Sequence, residues 1–276
     1  MITLVSIELY KIFKKWRTYI GFIAIAVLVP VIQIAISMEG LDFKTRNFSQ
    51  SFVFVGNFLN GYLVSHVILF SLFIHIPFLV ALVAGDLFAG EATAGTYRML
   101  ITRPVSRFSI VTSKFIAGII YTTLLILWLA ILSLGVGTLI FGTGELLVIR
   151  SSALIIFERN DVLWRFAAAY LYAVCSMSVV TSIAFFFSSL VENSIGPIIT
   201  TMAIIIAFII ISAINVNIFQ AIKPYLFTNY MGTWSLFFDK PVDVKSVLDA
   251  VFVLLAHIVV LYGITLYIFN KKDILT

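Results

Sequence analysis

Six ionisable side chains that could do chemistry are grouped between two long apolar runs, in the segment 86–114. They are Asp86, Glu91, Arg98, Arg103, Arg107 and Lys114. A charged side chain at the centre of a bilayer costs about 2.5–3.5 kcal/mol on insertion scales, so six of them cannot belong to a membrane span. The segment is therefore expected to lie in water, and its excess of basic residues favours the cytoplasmic side. We interpret it as a contact region for a soluble partner, not as a catalytic centre.

The sequence contains none of the common patterns for nucleotide hydrolysis or metal binding. It has no P-loop pattern G-x4-G-K-[ST] and no H-E-x-x-H pattern. His66, His75 and His257 are scattered, and the first two are about half a helical turn out of phase. The single cysteine, Cys175, lies within an apolar run and excludes a disulfide within one chain. We therefore predict that this chain is not an enzyme and binds no metal and no cofactor.

The composition is that of a membrane protein. Of its 276 residues, 62% are hydrophobic and only 11% are charged, with a mean hydropathy of +1.12. Soluble domains carry about 25% charged residues. No basic run with interleaved aromatic residues stands apart from the apolar runs, so no nucleic acid partner is expected. The formal net charge of +5 is attributed to orientation in the membrane.

Apolar runs of about 20 residues, the length that crosses a hydrocarbon core of about 30 Å, predict an all-α polytopic membrane protein. The expected transmembrane helices are 19–38, 62–84, 115–141, 166–190, 197–214 and 250–270. Together they make residues 1–276 a single transmembrane domain. The apolar pieces 146–149 and 153–157 are too short to cross and are expected to form helices at the membrane surface.

Residues 1–19 are expected to form an amphipathic helix in the plane of the lipid headgroups, which makes membrane lipid a partner. One face carries apolar residues at spacings of three and four: Val5, Leu9, Ile12, Trp16 and Ile20. The other side carries Glu8, Lys11, Lys14 and Lys15. This basic face is expected to point toward anionic lipid and the cytoplasm. A signal peptide is the alternative, although the following apolar stretch, about 20–37, is longer than usual for one.

The charge distribution predicts a cytoplasmic N-terminus and C-terminus in the plasma membrane. With that orientation the inner segments are 1–19, 85–114, 191–196 and 270–276. They hold ten of the 18 basic residues and five of the 13 acidic residues, so the whole net charge of +5 falls on the inner side. The count of basic residues alone gives a modest bias in the same direction.

The segment after the second span resembles the first cytoplasmic loop of permease subunits of type-2 ABC exporters. The shared pattern consists of Gly85-Asp86, Glu91, Gly95-Thr96, Arg98, Leu100, Arg103-Pro104-Val105-Ser106-Arg107 and Lys114-Phe115. The basic start of the chain resembles the elbow helix of that family, and residues 269–274 resemble its basic ending. The pattern is specific for the family and not for a substrate.

The resemblance implies a dimer of permease subunits, paired with an identical or a sister chain, each docked on a separate nucleotide-binding (ATPase) subunit. A short coupling helix in the cytoplasmic loop 85–114, between spans 2 and 3, would make this contact. The coupling residues it implies are Glu91, Gly95, Thr96, Tyr97, Arg98, Arg103 and Arg107. Independently, Glu91 and Arg98 are seven residues apart and share one helical face, so both can point at one partner surface.

Candidates for a substrate pathway are fewer and rest on polarity and aromatic content alone. They are Asn57, Asn60, Phe185 and Phe186. The function expected from the resemblance is an ATP-driven exporter that works by alternating access. An autonomous channel or secondary carrier is the alternative. A third hypothesis, an intramembrane hydrolase, rests on Ser133 near Gly135 and Gly137.

Overall fold

The computed structural model describes residues 1–39, 59–95, 105–150, 154–214 and 216–271, apart from the side chain of Glu39. Within these ranges the chain is mostly helical. The helices are α1 (Ile2–Lys14), α2 (Trp16–Glu39), α3 (Gly61–Leu72), α4 (Ile76–Ala84), α5 (Ala89–Thr93), α6 (Arg107–Ala130), α7 (Gly137–Phe141), α8 (Arg159–Leu190), α9 (Ile195–Ala213), α10 (Asn217–Gln220), α11 (Phe227–Met231) and α12 (Val244–Lys271). A π-helical turn, Ile131–Val136, joins α6 to α7, and 3-10 turns cover Lys223–Tyr225 and Gly232–Phe238.

Five helical segments of the described chain are long and apolar enough to cross a membrane. They are Trp16–Met38, Arg107–Phe141, Arg159–Leu190, Ile195–Ala213 and Val244–Lys271. Helices α3 and α4 are bent by 56° at the break between them and add a sixth if they are counted as one span. The prediction of a helical polytopic membrane protein is confirmed at the level of about five candidate spans.

Helix α8 lies at the centre of the helical bundle. In its most apolar window 72% of the residues are buried, compared with 17–28% for the other four candidate spans. It packs against α4, α6, α9 and α12. A buried polar side chain on α8 can therefore bond to a neighbouring helix: the Thr181 and Thr122 hydroxyl oxygens, on α8 and α6, are 2.7 Å apart. Such interhelical hydrogen bonds join helices in an apolar environment.

The short apolar pieces after the third span form a β-hairpin, so the prediction of surface helices was wrong. Strands β1 (Leu146–Ile149) and β2 (Leu154–Phe157) pair antiparallel, with Leu146 opposite Phe157. Four residues make barely one helical turn, and an isolated turn of helix is unstable. Two short strands instead satisfy each other's backbone groups, which explains why these apolar pieces pair.

Three helices begin six to eight residues earlier than the apolar runs predict. Helix α6 begins at Arg107 and not at 115, α8 at Arg159 and not at 166, and α12 at Val244 and not at 250. An apolar run marks only the stretch that can be buried in lipid, whereas a helix continues until its backbone is capped. At α6 this cap is Ser106, whose Oγ accepts a hydrogen bond from the Ser109 N–H at 3.2 Å.

Candidate functional site

Four charged side chains from three helices meet in a buried group that we call the four-charge cluster. Its members are Glu8 and Lys11 of α1, Glu91 of α5 and Lys114 of α6. The Lys114 Nζ lies 2.8 Å from Glu8 Oε2 and 2.7 Å from Glu91 Oε1. The Lys11 Nζ lies 2.8 Å from Glu8 Oε1 and 2.7 Å from the same Glu91 oxygen. Two ammonium groups thus balance two carboxylates.

Lys114 is the most deeply buried of these charges, because its side chain is 1% exposed. It also donates a hydrogen bond to the Leu87 carbonyl oxygen at 3.2 Å. A buried ammonium group is costly unless oxygen atoms replace the water that it loses. Three acceptors from two parts of the chain, α1 and the segment 87–91, do so here. The cluster therefore fixes the positions of α1, α5 and α6 relative to one another.

A second ion-pair group lies beside the first, where α4 leads into α5. The Asp86 carboxylate receives Lys15 Nζ at 2.7 Å and an Arg17 guanidinium nitrogen at 3.0 Å. Gly90 permits this arrangement, since a Cβ atom at Gly90 would lie 2.5 Å from an Asp86 carboxylate oxygen. The two acidic residues that follow α4 are therefore both held by cations near the N-terminus of the chain.

Helix α8 holds the short helix α5 in place from the other side. The Ser188 hydroxyl oxygen accepts hydrogen bonds from the backbone N–H groups of Phe88 and Ala89, both at 3.0 Å. The Thr93 hydroxyl donates to the Glu192 carbonyl oxygen at 2.7 Å. These bonds tie the two ends of α5 to the end of the central helix, so α5 is not an isolated surface turn.

The charges of the four-charge cluster shift the pKa values of Glu91 and Lys11. Burial acts to raise the pKa of Glu91, but the charges and hydrogen bonds of Lys114 and Lys11 lower it below the ordinary value of 4.5. Burial acts to lower the pKa of Lys11, but Glu8 and Glu91 raise it above 10.5. Both residues are therefore charged at neutral pH, as the ion pairs require.

The amphipathic helix is oriented differently from the expectation. Glu8 and Ile12 are the buried residues of α1, and the Trp16 side chain is 73% exposed. The face with Glu8 and Lys11 was expected to point toward lipid headgroups, but it packs against α5 and α6. For Glu8 and Lys11 the prediction was wrong, because hydrophobic periodicity does not reveal opposite charges 80 and 106 residues away in sequence. Lys14 and Lys15 of the same predicted face are exposed.

The coupling residues expected from the sequence occupy distinct places. The Glu91 carboxylate points into the protein and not at an exposed surface. Gly95 follows α5 with a positive φ of 67°, which favours glycine. The Arg107 guanidinium donates to the carbonyl oxygens of Phe269 and Asn270 at 3.0 and 2.8 Å, and so joins α6 to the end of α12. Thr96, Tyr97, Arg98 and Arg103 lie outside the described residues.

The residues proposed for a substrate pathway are mainly packed within the protein. Asn60 caps α3 by accepting hydrogen bonds from the N–H groups of Tyr62 and Leu63, and its amide donates to the Glu145 carbonyl oxygen at 2.6 Å. Phe185 is fully buried and packs on Phe88 and Phe115. Phe186 is half-buried and contacts Phe187 edge-on. Asn57 lies outside the described residues.

Sequence reasoning identified Glu91 and missed the residues that bind it. Lys11 and Lys114 lie 80 and 23 residues away from Glu91 along the chain, and no local pattern connects them. One feature of the sequence could have indicated that Lys114 has a distant partner. Lys114 stands eight residues inside α6 without a nearby acidic residue on that helix, and such a charge near an apolar run requires a partner from elsewhere.

The chain is similar to one protein family and to one relative described below. Residues 21–275 match the family described as "Protein of unknown function (DUF2705)"; α1 precedes the matched region, which contains Asp86, Glu91 and Lys114. One relative, "Uncharacterized protein YhcI" of Bacillus subtilis (strain 168), is 27% identical over 198 residues. That alignment covers 70% of this chain and 63% of the relative, so the chain spans less than two thirds of the relative's length. Because the family match extends over most of the sequence, this chain belongs to the DUF2705 family.

Proposed function

We propose that this chain is the membrane-spanning permease subunit of an ATP-driven ABC exporter. In this proposal six spans, with α3 and α4 together as one, move a substrate by alternating access. A separate nucleotide-binding subunit hydrolyses the ATP. Two permease subunits, identical or different, form the dimer in the plasma membrane, and both chain termini lie in the cytoplasm. Helix α1 is then the elbow helix and segment 85–114 the coupling loop.

One observation carries the proposal: the loop after α4 is bound to two separate helices through charged side chains, and one of these helices is bound to a third. Glu91 binds Lys11 of α1 and Lys114 of α6. Arg107, the first residue of α6, in turn binds the last carbonyl groups of α12. A partner that displaced the loop would thus act on α1, α6 and α12 together, and a coupling element needs such connections to two-state elements.

The inward position of Glu91 assigns it a particular part in this mechanism. Its carboxylate transmits a displacement to α1 and α6, while contact with the ATPase subunit falls to the loop residues that follow. Gly95 is exposed at the end of α5. We assign contact with the partner to Gly95, Thr96, Tyr97, Arg98 and Arg103.

The direct test co-expresses this chain with a candidate nucleotide-binding (ATPase) subunit, prepared without cysteines. Reaction of Cys175 with a maleimide reports the conformation of α8, because Cys175 is the only cysteine of the chain and is half-buried. We expect ATP with vanadate to change this reaction rate in the wild-type complex. Glu91→Ala and Arg98→Glu should keep membrane insertion and ATP hydrolysis but abolish the ATP-dependent change. The matched controls Glu158→Ala and Arg159→Glu should behave as wild type.

Two outcomes would refute the permease proposal. One is a complex in which Glu91→Ala and Arg98→Glu leave co-purification and the ATP response unchanged. The other is transport by the purified chain in liposomes with no ATPase present, which is the behaviour of an autonomous channel or carrier.

Sidedness is tested with Ala94→Cys in a Cys175→Ser background, since Ala94 is exposed beside Gly95. A membrane-impermeant maleimide should label it only after the cells are permeabilised. Thr143→Cys, an exposed position before the β-hairpin, should be labelled on intact cells. Labelling of Ala94→Cys from outside would place the loop on the wrong side of the membrane for an ATPase partner.

A further inference from the structure

A cavity of about 480 Å³ lies between α1 and the loop that follows α4. One part of its wall is apolar and includes Leu4, Ile7, Val83 and Ile110. Another part is charged and includes Lys14, Lys15 and Arg17. Binding sites for small ligands have about this volume and combine an apolar wall with a few polar groups.

The charges around this cavity are not balanced. In the four-charge cluster two carboxylates serve two ammonium groups, so that part is neutral. At the junction of α1 and α2, in contrast, Lys15 and Arg17 share the single carboxylate of Asp86. Lys14 has no carboxylate partner within the described chain, where its Nζ lies 5.9 Å from the centre of the exposed Tyr10 ring. Three cations against one carboxylate leave a local charge of +2.

Exposed aromatic side chains flank this basic group, an arrangement that favours the level of lipid headgroups. Tyr10 is 68% exposed, Trp16 73% and Tyr19 40%, and all three lie next to the three cations in sequence. Tyrosine and tryptophan are enriched at membrane–water interfaces because their rings are apolar and their tips polar. Below them, Ile20, Ile23 and Val27 expose apolar side chains on α2 where acyl chains would lie.

We infer that this cavity is a binding site for one anionic phospholipid. The headgroup phosphate lies against Lys14, Lys15 and Arg17, the glycerol region occupies the cavity, and the acyl chains run along the exposed face of α2. The phosphate and Asp86 compete for Lys15 and Arg17. A bound lipid therefore loosens the hold of the N-terminal segment on the loop. The inference concerns this chain alone and does not depend on the ATPase partner.

The experiment measures lipid binding to the purified full-length chain in nonionic detergent by native mass spectrometry, with no ATPase present. Phosphatidylglycerol and phosphatidylcholine of identical acyl chains are titrated separately. Juxtamembrane basic residues each attract anionic lipid by about 1 kcal/mol, which corresponds to about fivefold in affinity. We expect Lys14→Gln to weaken phosphatidylglycerol binding by about threefold to fivefold. Since Lys14 makes no ion pair with the residues that the structure describes, this variant keeps the Asp86 ion pairs with Lys15 and Arg17.

Asp86→Asn should act in the opposite direction. It removes the competing carboxylate and should strengthen phosphatidylglycerol binding by at least about threefold. A residue with only a structural role would not produce tighter binding on substitution. The matched control is Arg159→Gln, which removes one exposed cation near the hairpin and should leave binding within about twofold.

Each outcome bears on the inference. Selective binding of phosphatidylglycerol, weakened by Lys14→Gln and strengthened by Asp86→Asn, supports it. Equal binding of phosphatidylcholine overturns it, and so does an unchanged affinity in both variants. Displacement of the lipid by millimolar inorganic phosphate would overturn it in favour of a site for a soluble anion.

Discussion

The substitution Lys114→Met tests whether the four-charge cluster holds α1, α5 and α6 together. Methionine keeps the length of the side chain and removes its charge. Glu8 and Glu91 would then share Lys11, whose side chain is 37% exposed, as their only cation in the cluster. Removing one partner of a buried ion pair costs about 3–5 kcal/mol, because a buried charge is left uncompensated. At about 2–4 °C per kcal/mol, the melting temperature should fall by roughly 6–20 °C.

The assay measures thermal unfolding in detergent. A dye that becomes fluorescent when it reacts with Cys175 reports the unfolding, because the thiol becomes accessible as the protein opens. Lys14→Met is the matched control, since Lys14 is exposed and makes no ion pair in the described chain. Substitutions of this kind change stability by about 0.5 kcal/mol or less, so its melting temperature should shift by no more than about 2 °C.

A compensating variant makes this prediction sharper. Adding Glu91→Gln to Lys114→Met leaves Glu8 and Lys11 as one neutral pair, so charge balance is restored. The double variant should recover at least about 1 kcal/mol relative to Lys114→Met alone, as expected for residues in one network. If the two substitutions were simply additive, or if Lys114→Met melted with the wild type, the cluster would not stabilise the packing of these helices.

Two further predictions follow from the same physical reasoning. Because the pKa of Glu91 lies below 4.5, its stabilising effect is complete above that pH and is lost as the pH falls through the lowered pKa. The pKa of Lys11 is raised, so its contribution is complete below pH 10.5 and is lost as the pH rises further. Tryptophan fluorescence melts of wild type and Glu91→Gln should thus differ by a constant amount between about pH 6 and 9 and converge in acid. Gly61→Ala should destabilise by at least about 1–3 kcal/mol, because its Cβ would lie 2.4 Å from the Thr138 Cα. Gly263→Ala has open space around the new Cβ and should be neutral or stabilising by up to about 1 kcal/mol in the same melts. Equal effects of the two glycine substitutions on stability would contradict this packing.

The boundary errors of the sequence analysis have a common origin. Apolar runs located every candidate span but placed the starts of α6, α8 and α12 several residues late, because a hydropathy pattern measures contact with lipid and not helix length. The strands Leu146–Ile149 and Leu154–Phe157 were misread for a related reason. Each segment is too short to show whether its hydrophobic residues follow a helical or a strand periodicity. Only its pairing with the other segment defines it as a strand.

The candidate site, like the helix boundaries, was only partly predictable from the sequence. Glu91 could be selected from the sequence because it lies in a charged loop between apolar runs. Its partners could not be selected, because Lys11 and Lys114 are brought to it by the packing of α1 and α6. The same packing made Glu8 a buried residue, although its helical position alone suggested a solvated one.

The sequence by itself therefore determined that this is a helical polytopic membrane protein with a charged loop after the bent pair α3 and α4. Transfer of apolar side chains from water to lipid is a property of each run alone, so composition and length suffice to reveal it. The tertiary structure alone decided which charges meet, since an ion pair depends on the distance between two atoms and not on their separation along the chain. It joined Lys11 and Lys114 to Glu91, and Lys15 and Arg17 to Asp86, and so bound the start of the chain to the loop.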